Sequence, residues 1–434
     1  MGAEALLQYM WQHRLWDPSR CLTTDGRRVL VLDPGYLNTD AGPDFFNAKV
    51  RVGAETWAGN VEIHVRASDW HRHHHDGDRA YDSVVLHVVS ESDCLISRSD
   101  GSTVPQMIMP YVPDFRDRYR AMVDNPRQPA CAAELASTPS IYITDWMSTL
   151  GVERLQSRAG RVLGWYKSLD GDWRATAYVA LARALGFSTN GEPMEMLARI
   201  TPLANLLRHS DSPELLEAAL MGQAGFMRRI DPHDVPEGPE RDYYDRLVQN
   251  HAFLAAKYGW DSSVTPAWRL ARMRPPNFPQ RRVAVLVSLL AGGFPFGRLV
   301  YGLHDPDEAR RLFDVPLPLY WREHYDLGQR SAATHTALST DSINLLIINA
   351  VVPLMYAHSL SYGDRHAAER AIDILSAMPA EQNFIVRQFT AAGIDCPDAF
   401  TSQALVQLYR EYCTPRKCLY CRLGHRFLRA KAMP

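Results

Sequence analysis

Polar and apolar side chains alternate along residues 57–65, and this pattern predicts a β-strand with two different faces. Val61 and Ile63 belong to the apolar face, whereas Glu62 and His64 belong to the polar face. A polar strand face is often simply exposed to water. A carboxylate and an imidazole on the same face can instead converge on one ion, so this face is a candidate site.

Short strand-like segments separated by turn sequences dominate the chain before about residue 125, whereas the later apolar residues recur with a helical period. The N-terminal region is predicted to begin with a helix over residues 1–15 and to contain a second helix over residues 68–81. The predicted strands are residues 28–32, 45–52, 57–65 and 84–89, with a weaker one at 95–97. The helices predicted for the later region are residues 142–168, 171–186, 192–207, 213–223, 240–257, 280–291, 341–358, 364–377 and 399–412.

These elements predict a mixed α+β protein with three parts. An α/β sheet domain is expected over residues 1–125, a large irregular all-α domain over residues 126–395, and a small basic segment with a cysteine cluster over residues 396–434. No repeat of fixed length recurs in the helical part, which argues against a solenoid.

The overall composition indicates a globular cytoplasmic protein. Charged residues make up 22% of the 434 residues and the net charge is −2, so no global field draws the protein toward nucleic acid or a membrane. The first residues lack the basic start and long apolar core of a signal peptide. Asn344, Asn349 and Pro353 interrupt the longest apolar run, residues 343–357, and we expect a buried helix there and no membrane contact. The oligomeric state stays open.

A cysteine cluster with the spacing C-x4-C-x2-C lies near the C-terminus. Cys413, Cys418 and Cys421, with His425 as a fourth ligand, predict a structural zinc site, because such a set can surround one tetrahedral ion. Cys396 as the fourth ligand would instead form an all-thiolate site for zinc or an iron–sulfur cluster. Packing of these cysteines without a metal is the alternative. The scattered cysteines are otherwise expected to be ordinary buried residues, namely Cys21, Cys94, Cys131 and Cys396.

A run of histidines follows the candidate strand, comprising His71, His73, His74 and His75. Neutral imidazoles bind transition metals well, and a helix over this segment would place His71 and His75 on one side. A solvated polar helix face explains the same residues without a metal.

Local basic patches bear on whether nucleic acid is a credible partner. The segment 410–431 is strongly basic, and Arg416, Lys417 and Arg422 in it are predicted to bind phosphate. Solvated, salt-bridged helix faces are the alternative for this patch and for a second one. The second patch combines arginines with possible stacking platforms, and consists of Arg269, Arg272, Arg274, Arg281 and Arg282 with Trp268 and Phe278.

Pro43-Asp44, followed by Glu62 and His64, is embedded in the predicted order helix, strands, helix, strand. In both respects the first ninety or so residues resemble the PD-(D/E)XK nuclease fold. The resemblance implies that Asp44 and Glu62 bind a catalytic Mg²⁺ or Mn²⁺ and that Glu4 on the first helix adds a ligand. His64 stands where that family has a lysine, and it would assist the attacking water as a base.

Two further expectations accompany this resemblance. Asp44 is an even number of positions away from apolar residues of the predicted strand 45–52, so within the strand it would lie on their apolar face. It is therefore expected at the strand end. RecB-like members of the fold place a polar residue and a tyrosine of the second helix near the substrate. This implies a substrate-binding role for Asp78 and Tyr81.

Long and specific strings carry a second resemblance, and they are residues 40–48, 57–64, 222–226, 274–279, 412–413 and 418–421. Through them the whole chain resembles an uncharacterised bacterial family catalogued as a domain of unknown function, DUF2851. This resemblance implies kinship and carries no activity with it.

The sequence therefore predicts a metal-dependent, nuclease-like phosphodiesterase that acts on nucleic acid. An alternative from another class is a catalytically degenerate nuclease fold that serves as a nucleic-acid-binding or scaffold module, which the missing lysine favours. In a third interpretation, the histidine-rich segment joins Glu62 and His64 in one transition-metal hydrolase site.

Overall fold

The computed structural model describes residues 3–110, 115–126, 129–271, 273, 277–331 and 336–429. Within them the protein is mixed α/β, with a sheet near the N-terminus followed by many helices. The chain forms two compact units. The first unit contains Met1–Trp146, Phe384–Asp395 and Val406–Pro434, and the second contains Met147–Asn383 and Cys396–Leu405. The C-terminal cysteines thus belong to the same unit as the sheet, and the boundaries predicted at residues 125 and 395 do not coincide with these units.

The first unit is built around a six-stranded mixed sheet. Its strands are β1 (Val29–Asp33), β2 (Tyr36–Leu37), β3 (Phe45–Val52), β4 (Glu55–Arg66), β5 (Val84–Glu91) and β6 (Gln106–Ile108). The strand order is β1-β3-β4-β5-β6, and β2 pairs with β3. The pairs β1–β3, β2–β3 and β3–β4 are antiparallel, whereas β5 is parallel to β4 and β6 is parallel to β5.

Helix α1 (Ala3–Gln12) shares a core with the apolar face of β4. Leu7 and Met10 of the helix are buried in the same cluster as Val61 and Ile63 of the strand. Burying each such side chain stabilises the fold by about 1.5–3 kcal/mol. This packing holds the helix against the strand that carries Glu62.

The polar face of β4 is also closed to water. Glu62 is 4% exposed and His64 is 1% exposed. The segment after β4 contains the fully buried Trp70, whose ring lies 5.4 Å from that of His75. The interpretation of a solvated strand face is therefore wrong, because both faces of this strand are buried.

The segment predicted as one helix over residues 68–81 is broken. It consists of α2 (Asp69–Arg72) and two short 3₁₀ turns, His75–Gly77 and Arg79–Tyr81. His74 has φ = +61°, a left-handed conformation that ends a helix for any L-residue. His71 and His75 therefore do not share a helix face as predicted.

Asp44 lies immediately before β3, as expected for a residue at a strand end. The pairing of β3 with β4 shifts register between Phe45 and Ala48, and Asn47 between them has φ = +56°. An odd-numbered residue, Phe45, faces the core before this bulge, and even-numbered residues such as Ala48 face it afterwards. Phe45 and Ala48 are therefore both buried.

The sequence interpretation missed short strands and placed one wrongly. Residues 95–97 form only an isolated bridge, between Ser97 and Thr103. The short strands β2 and β6 were not predicted. They carry too few residues for a period-two pattern to be visible.

The remaining helices make up most of the chain, and each segment predicted as a helix after residue 139 contains one. Residues 192–207 are divided between two helices, and two later helices run into π-helical segments, Ile347–Val351 and Leu408–Cys413. The first unit contributes α3 (Phe115–Asp124), α4 (Ala132–Leu135), α18 (Phe384–Ala391) and α20 (Arg422–Arg429), all of them missed in the sequence. The other helices are α5 (Ser140–Ser168), α6 (Trp173–Leu185), α7 (Gly191–Ile200), α8 (Leu203–Leu206), α9 (Pro213–Gln223), α10 (Pro239–Tyr258), α11 (Pro279–Leu290), α12 (Phe296–Tyr301), α13 (Pro306–Phe313), α14 (Leu319–Glu323), α15 (Thr340–Leu346), α16 (Val352–Tyr362), α17 (Arg365–Ser376) and α19 (Ala399–Gln407).

One helical stretch, Thr340–Tyr362, has the length and composition of a membrane span. Its apolar window has a mean hydropathy of 1.6, but 78% of that window is buried inside the protein. Leu354 and Ala357 in it pack in the core of the second unit. The stretch therefore fits the buried helix that the polar interruptions predicted.

Candidate functional site

Asp44 and Glu62 come together beside the end of β3. The backbone N–H of Asp44 donates a hydrogen bond to Oε2 of Glu62 at 3.0 Å. The backbone N–H of Ile63 in turn donates to Oδ2 of Asp44 at 3.0 Å. Each carboxylate is thus held against the backbone next to the other, although the residues are 18 positions apart.

Helix α1 supplies two more polar groups to this place. Nε2 of Gln8 donates to Oδ1 of Asp44 at 2.9 Å. Glu4, one helical turn earlier, is close enough to Asp44 and Glu62 to raise the pKa of both carboxyl groups. Gln8 was missed in the sequence, although its i, i+4 spacing from Glu4 would have placed both on one helix face.

The carboxyl groups are strongly perturbed. Burial, followed by the charge of Glu62, raises the pKa of Asp44 to about 7. Burial raises the pKa of Glu62 to about 8. Burial also raises the pKa of Glu4. Three acids with raised pKa values in one place form a site whose negative charge a cation would compensate.

Imidazoles flank the carboxylates, and among them His64 and His87 are buried whereas His73 is exposed. A hydrogen bond of 2.9 Å joins Nδ1 of His64 to Nε2 of His87, and one of 3.1 Å joins Nε2 of His64 to Nδ1 of His73. Burial, followed by His73 and His75, lowers the pKa of His64 to about 3. His64 is therefore a neutral imidazole with both ring nitrogens engaged. His87 was missed in the sequence, although it interrupts the otherwise apolar start of β5.

His64, His73 and His75 each offer a ring nitrogen, and these atoms all lie within 4.8 Å of one another. Nε2 of His64 and Nε2 of His75 each lie 3.4 Å from Oε1 of Glu62. The sequence predicted that His71 and His75 share one side of a helix. His71 instead forms a hydrogen bond with Asp76 at 2.7 Å. His75 thus reaches Glu62 directly after the left-handed residue His74, whereas His64 lies on β4 itself.

The two residues predicted to contact substrate, Asp78 and Tyr81, differ in their surroundings. The Tyr81 ring stacks on the His75 ring with centroids 3.7 Å apart, and burial raises the tyrosine pKa to about 12. The exposed Asp78 accepts a hydrogen bond from the backbone N–H of Ala80 at 2.9 Å and caps the 3₁₀ turn. Tyr81 thus borders the site through His75, whereas Asp78 shapes the turn that holds Tyr81.

The C-terminal cysteines line a cavity that His425 does not line. Cys413, Cys418 and Cys421 border this cavity. The His425 ring instead hydrogen-bonds to the hydroxyl group of Tyr9 through Nδ1. The structure therefore brings the three predicted cysteines together at one cavity and places the ring of His425 against Tyr9.

Two of the three basic side chains predicted to bind phosphate are paired with other groups of the protein. Arg416 donates to the backbone oxygen of Asn125 at 2.6 Å. Arg422 forms an ion pair with Asp145 at 2.6 Å. Lys417 is exposed.

The second predicted patch is divided in its described part, because Arg269 is exposed whereas Arg281 and Arg282 are buried. Arg281 is 2% exposed and Arg282 is 5% exposed. Arg281 donates to the backbone oxygen of Trp321, and Arg282 lies over the Phe187 ring. Arg272 and Arg274 lie outside the described residues.

The sheet and the site define a mixed α/β protein with a partly buried cluster of carboxylates and imidazoles at one strand end. The chain belongs to the DUF2851 family, described as a protein of unknown function, whose sequence profile matches residues 4–384. No curated protein and no solved structure matches the chain.

Proposed function

We propose that this protein is a metal-dependent phosphodiesterase of the nuclease type that acts on nucleic acid. The observation that carries the proposal is the meeting of Asp44 and Glu62, each hydrogen-bonded to the backbone beside the other. The topology supports it, because a helix, antiparallel strands, a short helical segment and a parallel strand follow one another as in the PD-(D/E)XK fold.

The residues fit a divalent cation. Asp44 and Glu62 would hold it through oxygen atoms, which hard cations prefer, and the half-buried Glu4 would add a third carboxylate. Burial is the main cause of the raised pKa values of these acids, and a bound cation would stabilise the ionised forms that burial disfavours. Such a cation supplies a bound water of lowered pKa and neutralises charge on the phosphate.

The protein groups around the carboxylates position them. Gln8 fixes one oxygen of Asp44, and the N–H of Ile63 fixes the other. His64 is a positioning residue in this proposal, because a ring with a pKa of about 3 and both nitrogens bonded does not accept a proton from water near pH 7. The nearby imidazoles His73 and His75 favour Mn²⁺ over Mg²⁺, because nitrogen ligands suit transition metals.

Nucleic acid would approach from the open side of the site, where Asp44 and Glu4 are only partly buried. Arg72 lies on this side, with a side chain that is 70% exposed and close enough to lower the pKa of Glu4. We propose that it contacts a phosphate and that the exposed Lys417 adds a weaker contact.

Cleavage assays test the proposal. Purified protein is supplied with Mn²⁺ and with single- and double-stranded DNA and RNA. We expect Asp44→Asn and Glu62→Gln each to lose about a hundredfold or more of the cleavage rate. The matched control is Glu55→Gln, an exposed carboxylate on the same strand, which should retain full activity. Wild-type cleavage rates in both site variants would overturn the proposal. The absence of cleavage by the wild-type protein with every substrate would overturn it as well.

A second candidate is a nuclease fold kept as a nucleic-acid-binding or scaffold module. The state of His64 favours it, because the position of the expected lysine holds a buried neutral ring. Calorimetric titration with Mn²⁺ separates the two candidates. The enzyme should bind Mn²⁺ in a manner that Glu62→Gln abolishes, whereas a scaffold should give the same titration in both proteins.

A further inference from the structure

A cavity of about 470 Å³ lies in the second unit, beside the start of α11. Its wall combines apolar residues such as Leu185 with three residues that carry hydroxyl groups, Ser188, Thr189 and Ser342. Ser188 and Thr189 are exposed, so the cavity is open to solvent on their side. Its size and its mixture of apolar residues with a few polar ones are typical of sites for small molecules.

Arg282 borders this cavity, although its side chain is almost fully buried. Its Nη2 atom donates a hydrogen bond to Oδ1 of Asn277 at 2.6 Å, and its guanidinium group lies 4.5 Å from the centre of the Phe187 ring. The Nε atom is buried and has no hydrogen-bond partner among the described residues. A buried N–H group of this kind is uncommon in folded proteins and calls for an acceptor.

The charge of Arg282 calls for a partner as well. Burial, followed by the charge of Arg281, lowers the pKa of Arg282 to about 10, so the guanidinium group is still a cation near pH 7. In the part of the chain that the structure describes, no carboxylate acts on this pKa. A buried cation is costly unless an opposite charge compensates it. An anion in the adjoining cavity would provide this compensation.

The helix that carries Arg282 adds positive charge at the same place. Helix α11 begins at Pro279, which also borders the cavity. Within the described residues, its first turn contains no acidic side chain, and no side chain caps its start. The N-terminal end of a helix carries partial positive charge and binds phosphate readily. Arg281 and Arg282 therefore add two cations where a helix favours an anion.

A tight loop between α6 and α7 forms another wall of the cavity. The backbone N–H of Asn190 donates to the backbone oxygen of Gly186 at 2.9 Å, which closes the loop. The Asn190 side chain exchanges two hydrogen bonds with the backbone of Arg269, each at 2.9 Å. Phe187 in this loop has φ = +49°, an unusual conformation for a bulky residue. These contacts fix the loop that places the Phe187 ring against the guanidinium group.

We propose that this cavity binds a phosphate group, carried by inorganic phosphate or by a small organic phosphate. Arg282 holds the phosphate oxygens through charge-assisted hydrogen bonds, and the start of α11 stabilises the same negative charge. The hydroxyl groups of Ser188, Thr189 and Ser342 are further donors. This inference does not depend on the proposed nuclease activity, because no residue of this cavity belongs to the carboxylate site.

Calorimetric titration of the full chain tests the proposal. The probes are inorganic phosphate, adenosine monophosphate and adenosine, at constant ionic strength and with a chelator, so that no divalent cation at the carboxylate site contributes. We expect the wild-type protein to bind a phosphate-bearing probe and not adenosine. Tighter binding of the monophosphate would identify an organic phosphate as the ligand, and tighter binding of inorganic phosphate would identify the free ion.

Two variants assign the binding to this cavity. Arg282→Met should weaken phosphate binding by about tenfold or more, because charge-assisted hydrogen bonds are lost. Its melting temperature without phosphate should not fall, because an apolar side chain replaces a buried charge. Arg161→Met is the matched control, an exposed arginine of the same unit, and it should bind phosphate like the wild type.

Several outcomes would overturn the proposal. One is that the wild-type protein binds neither phosphate-bearing probe, which the titration decides without any variant. Equal affinity for adenosine and its monophosphate would show that the phosphate group is not recognised. Wild-type affinity in Arg282→Met would place the binding elsewhere, and a large fall in the melting temperature of this variant would show that Arg282 serves stability instead.

Discussion

Asp44 and Glu62 keep their protons to higher pH than exposed carboxyl groups do, because both are buried and the charge of Glu62 acts on Asp44. The ordinary pKa of a glutamate is 4.5, whereas that of Glu62 is about 8. The folded protein therefore binds more protons than the unfolded chain between these pH values. Its free energy of unfolding should fall as pH rises through this window.

Replacing Glu62 with glutamine should flatten this dependence. Without metal, we expect the wild-type protein to lose about 1–3 kcal/mol more than Glu62→Gln as pH rises from about 5 to about 8.5. Urea unfolding in the presence of a chelator measures this difference. Glu55→Gln, the exposed control on the same strand, should follow the wild type. The same pH dependence in Glu62→Gln and in the wild type would contradict the raised pKa of Glu62.

Strand β5 pairs side by side with β4, and the two strands approach each other at Gly59 with little room to spare. A Cβ atom on Gly59 would lie 2.4 Å from Cγ1 of Val85 and 2.6 Å from the backbone oxygen of Ser83. Gly59 lies shortly before Glu62 on the same strand. The parallel pairing of β4 and β5 therefore depends on a missing side chain as much as on hydrogen bonds.

Gly59→Ala should push the two strands apart and lower the free energy of unfolding by about 1–3 kcal/mol. The same substitution at Gly160, an exposed helical glycine with no atom near its Cβ position, should stabilise the protein by about 0.5–1 kcal/mol. Thermal unfolding of the two variants compares them. Similar melting temperatures would show that β5 does not crowd Gly59.

The C-terminal segment completes the core of the N-terminal sheet. Leu419 and Leu428 are buried in the same cluster as residues of α1, β3 and β4. The first unit is thus closed by chain that lies nearly the full length of the protein away in sequence. We therefore expect the buried side chains of the C-terminal segment to stabilise the sheet.

Leu428→Ala should therefore destabilise the first unit by about 2–5 kcal/mol, the usual cost of a cavity in a packed core. Leu95→Ala, at a side chain that is 72% exposed, should change the free energy of unfolding by less than about 0.5 kcal/mol. Denaturant unfolding measures the free energy of unfolding of both variants, and hydrogen exchange of the backbone amides measures the stability of the sheet. Unchanged exchange in Leu428→Ala would show that the sheet is stable without this contact.

Local patterns predicted much of the secondary structure. The bounds of β3 match the predicted segment, because the alternation over several residues is a clear local signal. The bounds of α9 also match, because a proline after a capping serine marks the start of a helix. Segments without such signals were missed or misjudged. The left-handed residues Asn47 and His74 are examples, because their conformations are imposed by neighbouring strands and turns.

The sequence by itself determined the order of strand and helix, the position of Asp44 at a strand end and the polar face of β4, since periodicity is a property of the local chain. Only the tertiary structure decided the burial of that face, the approach of Gln8 to Asp44 and the meeting of Cys131 with the C-terminal cysteines at one cavity. Each of these depends on which elements pack together, and long-range packing is decided by the shape and burial of whole surfaces, which no short stretch of residues encodes.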